Sequence, residues 1–293
     1  MLDTFLTCEC KSRNQLDGWC KPEARRAIEF GNFGHWLLEH WYKAENIGLE
    51  NSTYEDAAEF YEMMEPAWVE RLIGIGYPAE AIEEDLALMA PLFPAYVVHW
   101  KGQDAKFNWE ATEHKFDVEW QGFRLRGMID GVLKMGRSTY TFESKFRGRF
   151  STNEELKLAF DPQCLFYLNA AEVWKGKTMR GTIYNNVRKP QLKLNKKGVK
   201  DLTDRVRVDI SKRPEWYFIR HELVYTKNDK RRFRTQLLQK LNMFKAWVEG
   251  GMIPLRREGA CMGRYTCEYL ESCAKNTMIG YKQTAKRFQE LED

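Results

Sequence analysis

The chain has 293 residues, 43% apolar and 14% aromatic, enough for a sizeable core and incompatible with global disorder. Its formal net charge is only +4, with a pI near 8.5, so any polyanion footprint must come from local clustering of Lys and Arg. No basic segment leads into a long apolar run at the N-terminus, and no stretch approaches the roughly 18 apolar residues of a membrane span, so a cytoplasmic location is expected.

Residues 1–20 carry Cys8, Cys10 and Cys20 in a polar setting. The pattern predicts a helix over 24–44, where Ile28, Trp36, Leu38 and Trp41 mix with charged positions and Gly31 and Gly34 allow close backbone approach. His35 lies inside it. A second helix is predicted over 55–73, opened by acidic residues that suit the positive end of a helix dipole. A third spans 79–99 and should be broken by Pro91 and Pro94. The period then changes to two. Strands are predicted over 109–120 and 123–134 around a Gln121-Gly122 turn, and a third over 138–146 after a Gly136-Arg137 turn. A helix over 153–174, a strand over 180–187, a strand over 216–225 and a helix over 229–249 follow. This order predicts an α/β fold, a mixed-sheet core flanked by helices with N-terminal helical additions. A single domain is expected, with a helical part at 1–106, the α/β core at 107–250 and a cysteine-rich tail at 251–293.

Asp130 lies near the end of the second strand, and Glu143 and Lys145 project from one face of the third. If the two strands pair through the turn at 135–137, both carboxylates reach one divalent cation. Mg²⁺ or Mn²⁺ suits such oxygen ligands and would activate water and stabilise charge on a phosphate. The bland alternative is a strand-end Asp beside a surface Glu–Lys pair, but Phe142 and Phe146 flank Glu143, and an unpaired carboxylate on a buried strand would be costly. Gln163 and Tyr167, four apart, share a helical face. His35 is either a core histidine or the nitrogen that completes a metal shell.

Residues 188–213 hold ten Lys and Arg against three Asp. Arg188, Lys189, Lys196, Lys197, Arg231 and Arg232 are candidate phosphate contacts, and Tyr184, Trp216, Tyr217 and Phe218 nearby could stack on bases. A solvated basic face is the alternative. Cys261, Cys267 and Cys273 are evenly spaced in a polar tail. Seven cysteines is an odd count, which argues against a disulfide framework and for metal ligation. Cys164 reads as core.

Taken together, these motifs resemble the PD-(D/E)XK nuclease superfamily, and within it the RecB-like branch. Gly31 to Glu39 is similar to that branch's G-x-x-x-H-x-x-x-E helix, Gly127 to Asp130 to its G-x-x-D strand, Glu143-Ser144-Lys145 to E-x-K, and Gln163 to Tyr167 to Q-x-x-x-Y. Ile129 stands where the superfamily name puts proline. The resemblance implies a restriction-endonuclease-like core in which His35, Asp130, Glu143 and the Ser144 carbonyl hold metal and Lys145 is catalytic, with Gln163 and Tyr167 beside it. It also implies a DNA exonuclease acting on single strands or duplex ends, in recombination or replication with partner proteins there, in a phage or mobile element. Relatives of this branch carry a [4Fe-4S] cluster held by one upstream and three downstream cysteines. Here Cys8, with Cys10 and Cys20 as competitors, would join Cys261, Cys267 and Cys273. The gap from Cys261 to Cys267 is wider than that pattern, and zinc is the alternative metal. A rival from another class is a non-catalytic nucleic-acid binder stapled by such a centre, and a second rival is a nuclease subunit active only within a larger complex.

Overall fold

The computed structural model describes residues 2–21, 26–43, 51–150, 153–262 and 266–284. The ends of the first predicted helix, at 24–25 and 44, lie outside them. The chain begins with α1 (Leu2–Thr7), α2 (Glu9–Leu16) and the short strand β1 (Trp19–Cys20). Three long helices follow, α3 (Arg26–Lys43), α4 (Tyr54–Gly74) and α5 (Ala79–Asp104). Then come β2 (Phe107–Trp120), β3 (Phe123–Met135), β4 (Ser138–Arg147), α6 (Glu154–Leu158), α7 (Pro162–Lys175) and β5 (Gly181–Arg188). The rest is α8 (Gly198–Lys212), α9 (Pro214–Tyr217), β6 (Phe218–Val224), α10 (Lys227–Glu249), α11 (Glu258–Cys261), α12 (Leu270–Lys275) and β7 (Lys282–Gln283). These gather into two compact units. One comprises Met1–Glu23, Gln121–Phe123 and Arg231–Asp293, the other Ala24–Trp120 and Arg124–Lys230.

The larger unit is a five-stranded mixed sheet in the order β2-β3-β4-β5-β6, flanked by helices. Two tight turns build its first half. Gln121 and Gly122 both have positive φ (52° and 76°), as a twist-matched two-residue hairpin requires. β3 and β4 pair antiparallel from Met135↔Ser138 to Gly131↔Phe142. β4 then runs parallel to β5, and β5 antiparallel to β6. All eight residues of β5 are buried, the signature of a central strand covered on both faces.

Two expectations need correction. Pro91 and Pro94 do not break α5, which runs through both. Each removes a helix hydrogen bond, about 3 kcal/mol or more. That loss is offset because Leu88, Met89, Leu92, Phe93 and Tyr96 are buried around them, each contributing roughly 1.5–3 kcal/mol. The predicted helix over 153–174 is two helices. Asp161 accepts the Cys164 backbone N–H at 2.9 Å and Pro162 takes the first helical position, so α7 starts afresh there.

The smaller unit ties both chain ends together. Phe5 of α1 packs on Phe244 and Trp247 of α10, with ring centroids 5.3 and 5.1 Å apart. β1 pairs antiparallel with β7, and Tyr269 donates its hydroxyl to the Trp19 carbonyl at 2.5 Å. Glu9 accepts the Leu255 N–H at 3.1 Å.

Candidate active site

The β3–β4 ladder stops at Gly131↔Phe142, and one residue further on a side chain replaces the rung. Asp130 Oδ2 accepts the backbone N–H of Ser144 at 2.7 Å. This bond holds the Asp130 carboxylate against β4. Phe142 turns to the face of α3, where it packs on Tyr42 and Trp109. Period two then sends Glu143 and Lys145 to the opposite face. Glu143 is only 2% exposed and pairs with Lys145. Its Oε2 has no hydrogen-bond partner among the described residues.

His35 arrives from α3, with Nδ1 3.3 Å from Asp130 Oδ2. Gly34 makes this approach possible. A Cβ there would lie 2.3 Å from the ring of Phe146 on β4, and that ring packs edge-on against the His35 imidazole. Gly31, the glycine of the helix motif, has no such role, since its Cβ would sit at an ordinary 4.0 Å from Phe146. From α7, Gln163 Nε2 donates to the Tyr167 hydroxyl at 3.2 Å. Phe116 supports Tyr167 from β2, and Gly127 leaves room for it, since a Cβ would come within 2.6 Å of the Phe116 ring.

A further carboxylate, absent from the sequence-based set, joins the group. Glu113 on β2 lies 3.8 Å from His35 Nδ1, and ligand atoms of His35, Glu113 and Asp130 all lie within 4.8 Å of one another. One signal pointed to it: in the alternation of β2, Glu113 shares its phase with the inward Phe107 and Trp109, an unusual place for an idle carboxylate.

The electrostatics are those of an acidic site short of positive charge. Burial and the Asp130 carboxylate push the Glu143 carboxyl up, against the pull of Lys145. Burial and Asp130 likewise raise Glu113. Burial opposes charge on His35, but Asp130 and Glu113 outweigh it and raise the imidazole to about 8. Burial also works against the Lys145 ammonium, yet Glu143 and Asp130 hold it above the usual lysine range. The Tyr167 hydroxyl is pushed up by burial and then by Glu143, which places it within electrostatic reach of the same cluster.

Compared with protein-family models, residues 1–274 match the PD-(D/E)XK nuclease superfamily. The chain belongs to the PD-(D/E)XK nuclease superfamily. A crystal structure of a "Putative exonuclease" from Eubacterium rectale is similar in fold, with a TM-score of 0.50 and 10% identity, over 97% of this chain and 85% of that one. No curated protein matches the chain.

Membership in this nuclease superfamily implies a nucleic-acid substrate, and its nucleases typically use a divalent metal. The residues present fit such an ion. Asp130, Glu113 and Glu143 could supply hard oxygens and His35 a nitrogen, and Glu143 Oε2 is a buried acceptor with no hydrogen-bond partner among the described residues.

The PD-(D/E)XK chain uses most of its basic stretch internally. Arg188 is 8% exposed, donates to the Trp216 carbonyl at 2.9 Å and is clasped between the rings of Phe150 and Trp216. Lys189 pairs with Asp85 at 2.8 Å, over the ring of Phe30. Neither presents its charge to solvent. Residues 198–212 form the amphipathic α8, burying Leu202, Val206 and Ile210, and its three Asp each take an Arg: Asp201 with Arg205, Asp204 with Arg207, Asp209 with Arg213. Lys196 and Lys197, just ahead of α8, are exposed, as are Arg231 and Arg232 on α10.

In the terminal unit, Cys8, Cys10, Cys261, Cys267 and Cys273 lie close enough to perturb one another. Burial and Cys8 raise the Cys10 thiol, burial with Cys267 and Cys8 raises Cys261, and burial with Cys10, Cys267 and Cys8 raises Cys273. Cys20 stands apart, its thiol donating to the Lys282 carbonyl in the β1–β7 ribbon. Cys164 is buried beside Asp161, in the core as expected.

Proposed function

We propose that this protein is a metal-dependent DNA nuclease of the RecB-like branch, acting as an exonuclease on single strands or duplex ends. The observation that carries the reading is the meeting of His35, Asp130, Glu143 and Lys145 from three elements at the open end of the β3–β4 ladder, with Gln163 and Tyr167 in reach. Asp130, Glu143 and His35 would hold the cation, Asp130 aimed by its bond to Ser144. When bound, a divalent ion supplies Lewis acidity toward the scissile phosphate and the attacking water. Lys145, held charged by Glu143 and Asp130, orients that water and neutralises negative charge as it develops on phosphate. Tyr167 remains protonated and can donate to a substrate oxygen.

The terminal thiols support a cysteine-ligated centre. The donors are soft and five in number for four ligand positions. Among the described residues, no three of their sulfurs lie within 4.8 Å of one another. A closed tetrahedral zinc site sets its sulfurs roughly 3.8 Å apart. An iron–sulfur cluster on these thiols would clamp the two chain ends together. An absorbance band near roughly 400 nm in anaerobically purified protein distinguishes it from zinc, which is silent there.

The nuclease reading is tested by digesting linear and circular DNA with Mn²⁺. The wild type should degrade linear DNA and spare circles, and Lys145→Ala should lose about 10² or more in rate. Equal rates for the two proteins would overturn the mechanism.

A further inference from the structure

The aromatic residues near the basic stretch are mostly spent on the core. Tyr184, Tyr217 and Phe218 are 1–2% exposed, and the Trp216 ring lies against the Arg188 guanidinium. A ring left in solvent lies elsewhere. Phe160, between α6 and α7, is 71% exposed and meets no other ring among the described residues, and Leu156 on α6 is 69% exposed. Scattered apolar side chains at a surface need no explanation. These two differ in how firmly their segment is held, and beside what. Glu154 opens α6 with an ion pair to Arg147 at 2.7 Å, Leu158 is buried with its carbonyl accepting the Tyr225 hydroxyl at 3.1 Å, and Asp161 caps α7.

Both ends of this segment reach the candidate site. Arg147 follows Glu143 and Lys145 on the same face of β4, about 7 Å beyond the lysine, and is near enough that the two cations oppose one another. Phe160 precedes Gln163 by three residues, so their Cα atoms are at most about 11 Å apart. Arg147 gives one N–H to Glu154 and one to the hydroxyl of Tyr184, which stands opposite Glu143 on β5. The rest of its guanidinium has no partner among the described residues, and the side chain is 38% exposed. A protein partner is a poor fit to so small an apolar surface. One aromatic ring buries roughly 150–250 Å², against roughly 800 Å² per partner in a stable protein interface. A nucleotide, with an anionic phosphate and a flat apolar base, complements both groups. We propose that Arg147 and Phe160 form a subsite for the nucleotide next to the scissile phosphate, Arg147 taking its phosphate and Phe160 stacking on its base. A base that stacks on a side chain in this way must be unpaired, so the subsite selects single strands over blunt duplex. This rests on the nuclease reading above and narrows its substrate.

The test is binding of a fluorescent single-stranded oligonucleotide to the full chain, followed by anisotropy in EDTA so that no strand is cut. Phe160→Ala should weaken binding about 5- to 100-fold, the range of one lost base stack. Blunt duplex of the same length should change less than about 2-fold, as for an ordinary surface substitution. Phe160→Trp should keep the wild-type affinity, because any flat ring stacks. Arg147→Gln should flatten the slope of log affinity against log salt by about 0.7, one phosphate contact on a single strand. Four results would each overturn the subsite while leaving the nuclease reading intact: unchanged single-strand affinity in Phe160→Ala, an equal loss on duplex, an equal loss in Phe160→Trp, or an unchanged salt slope in Arg147→Gln. A wild-type dimer that dissociates in Phe160→Ala, seen by sedimentation, would overturn it in favour of a second copy as the occupant. A wild type that binds neither DNA would overturn both readings.

Discussion

Replacing Gly34 with alanine should separate the stability of this protein from its site. The new Cβ would lie 2.3 Å from the Phe146 ring, about 1 Å short of ordinary contact. Overpacking of this size costs about 1–3 kcal/mol. Against it, alanine in the interior of α3 gains about 1 kcal/mol of helix propensity over glycine. The net loss of stability is therefore small, between roughly zero and 2 kcal/mol. The site has less tolerance. Relief comes either from α3 moving off β4 or from rotation of the Phe146 ring, and that ring packs on the imidazole of His35. His35 Nδ1 sits 3.3 Å from Asp130, so a displacement of about 1 Å takes it out of the shell. Mn²⁺ affinity should fall about 10- to 100-fold, the loss typical when a metal ligand loses its support. Calorimetry with Mn²⁺ and urea unfolding, run side by side, measure the two effects. Gly31→Ala is the control, since its Cβ would meet Phe146 at 4.0 Å, and it should bind Mn²⁺ normally and unfold no earlier. Unchanged Mn²⁺ affinity in Gly34→Ala would refute the argument that this glycine sets the position of His35.

Other consequences can be measured directly. Arg220, buried on β6, pairs with Asp104 at 2.5 Å and reaches the site through Asn185, which donates to Ser144 Oγ at 3.1 Å. Asp104→Ala leaves that guanidinium without its carboxylate and should lower unfolding free energy by about 3–5 kcal/mol. A shift in urea midpoint worth under about 1 kcal/mol would refute this. Burial alone would raise Glu110, but Lys134, Lys177 and Lys175 hold its carboxyl down at about 2 from an ordinary 4.5. The stability it contributes is present above pH 4.5 and is lost as pH falls toward about 2. Glu110→Gln should therefore cost about 1 kcal/mol at neutral pH and flatten the stability profile between those two values, as followed by thermal melts. If the five clustered thiols hold a metal centre, Cys267→Ser should lower the melting temperature of the purified protein, whereas Cys20→Ser, in the ribbon, should leave any cluster absorbance unchanged. Equal absorbance in wild type and Cys267→Ser would exclude Cys267 as a ligand.

What the sequence determined by itself is local. The period-two segments and the Gln121-Gly122 and Gly136-Arg137 turns specify the β2–β3–β4 meander, because alternation and positive-φ turns are properties of neighbouring residues. The order of His35, Asp130, Glu143-Ser144-Lys145 and Gln163 to Tyr167 is likewise a property of the chain alone, and the superfamily it resembles is the one the chain belongs to. The tertiary structure decided what depends on partners distant in sequence. It carried α5 through two prolines, because burial around them outweighs two lost hydrogen bonds. It enclosed Arg188 between two rings and gave Lys189 to Asp85, so a basic run in the sequence presents far less charge at the surface. It gathered Cys10 with the terminal cysteines and left Cys20 in a ribbon. It also brought Glu113 to His35 and Asp130, a meeting that no spacing along the chain encodes, because three separate elements must pack before those ligand atoms are neighbours.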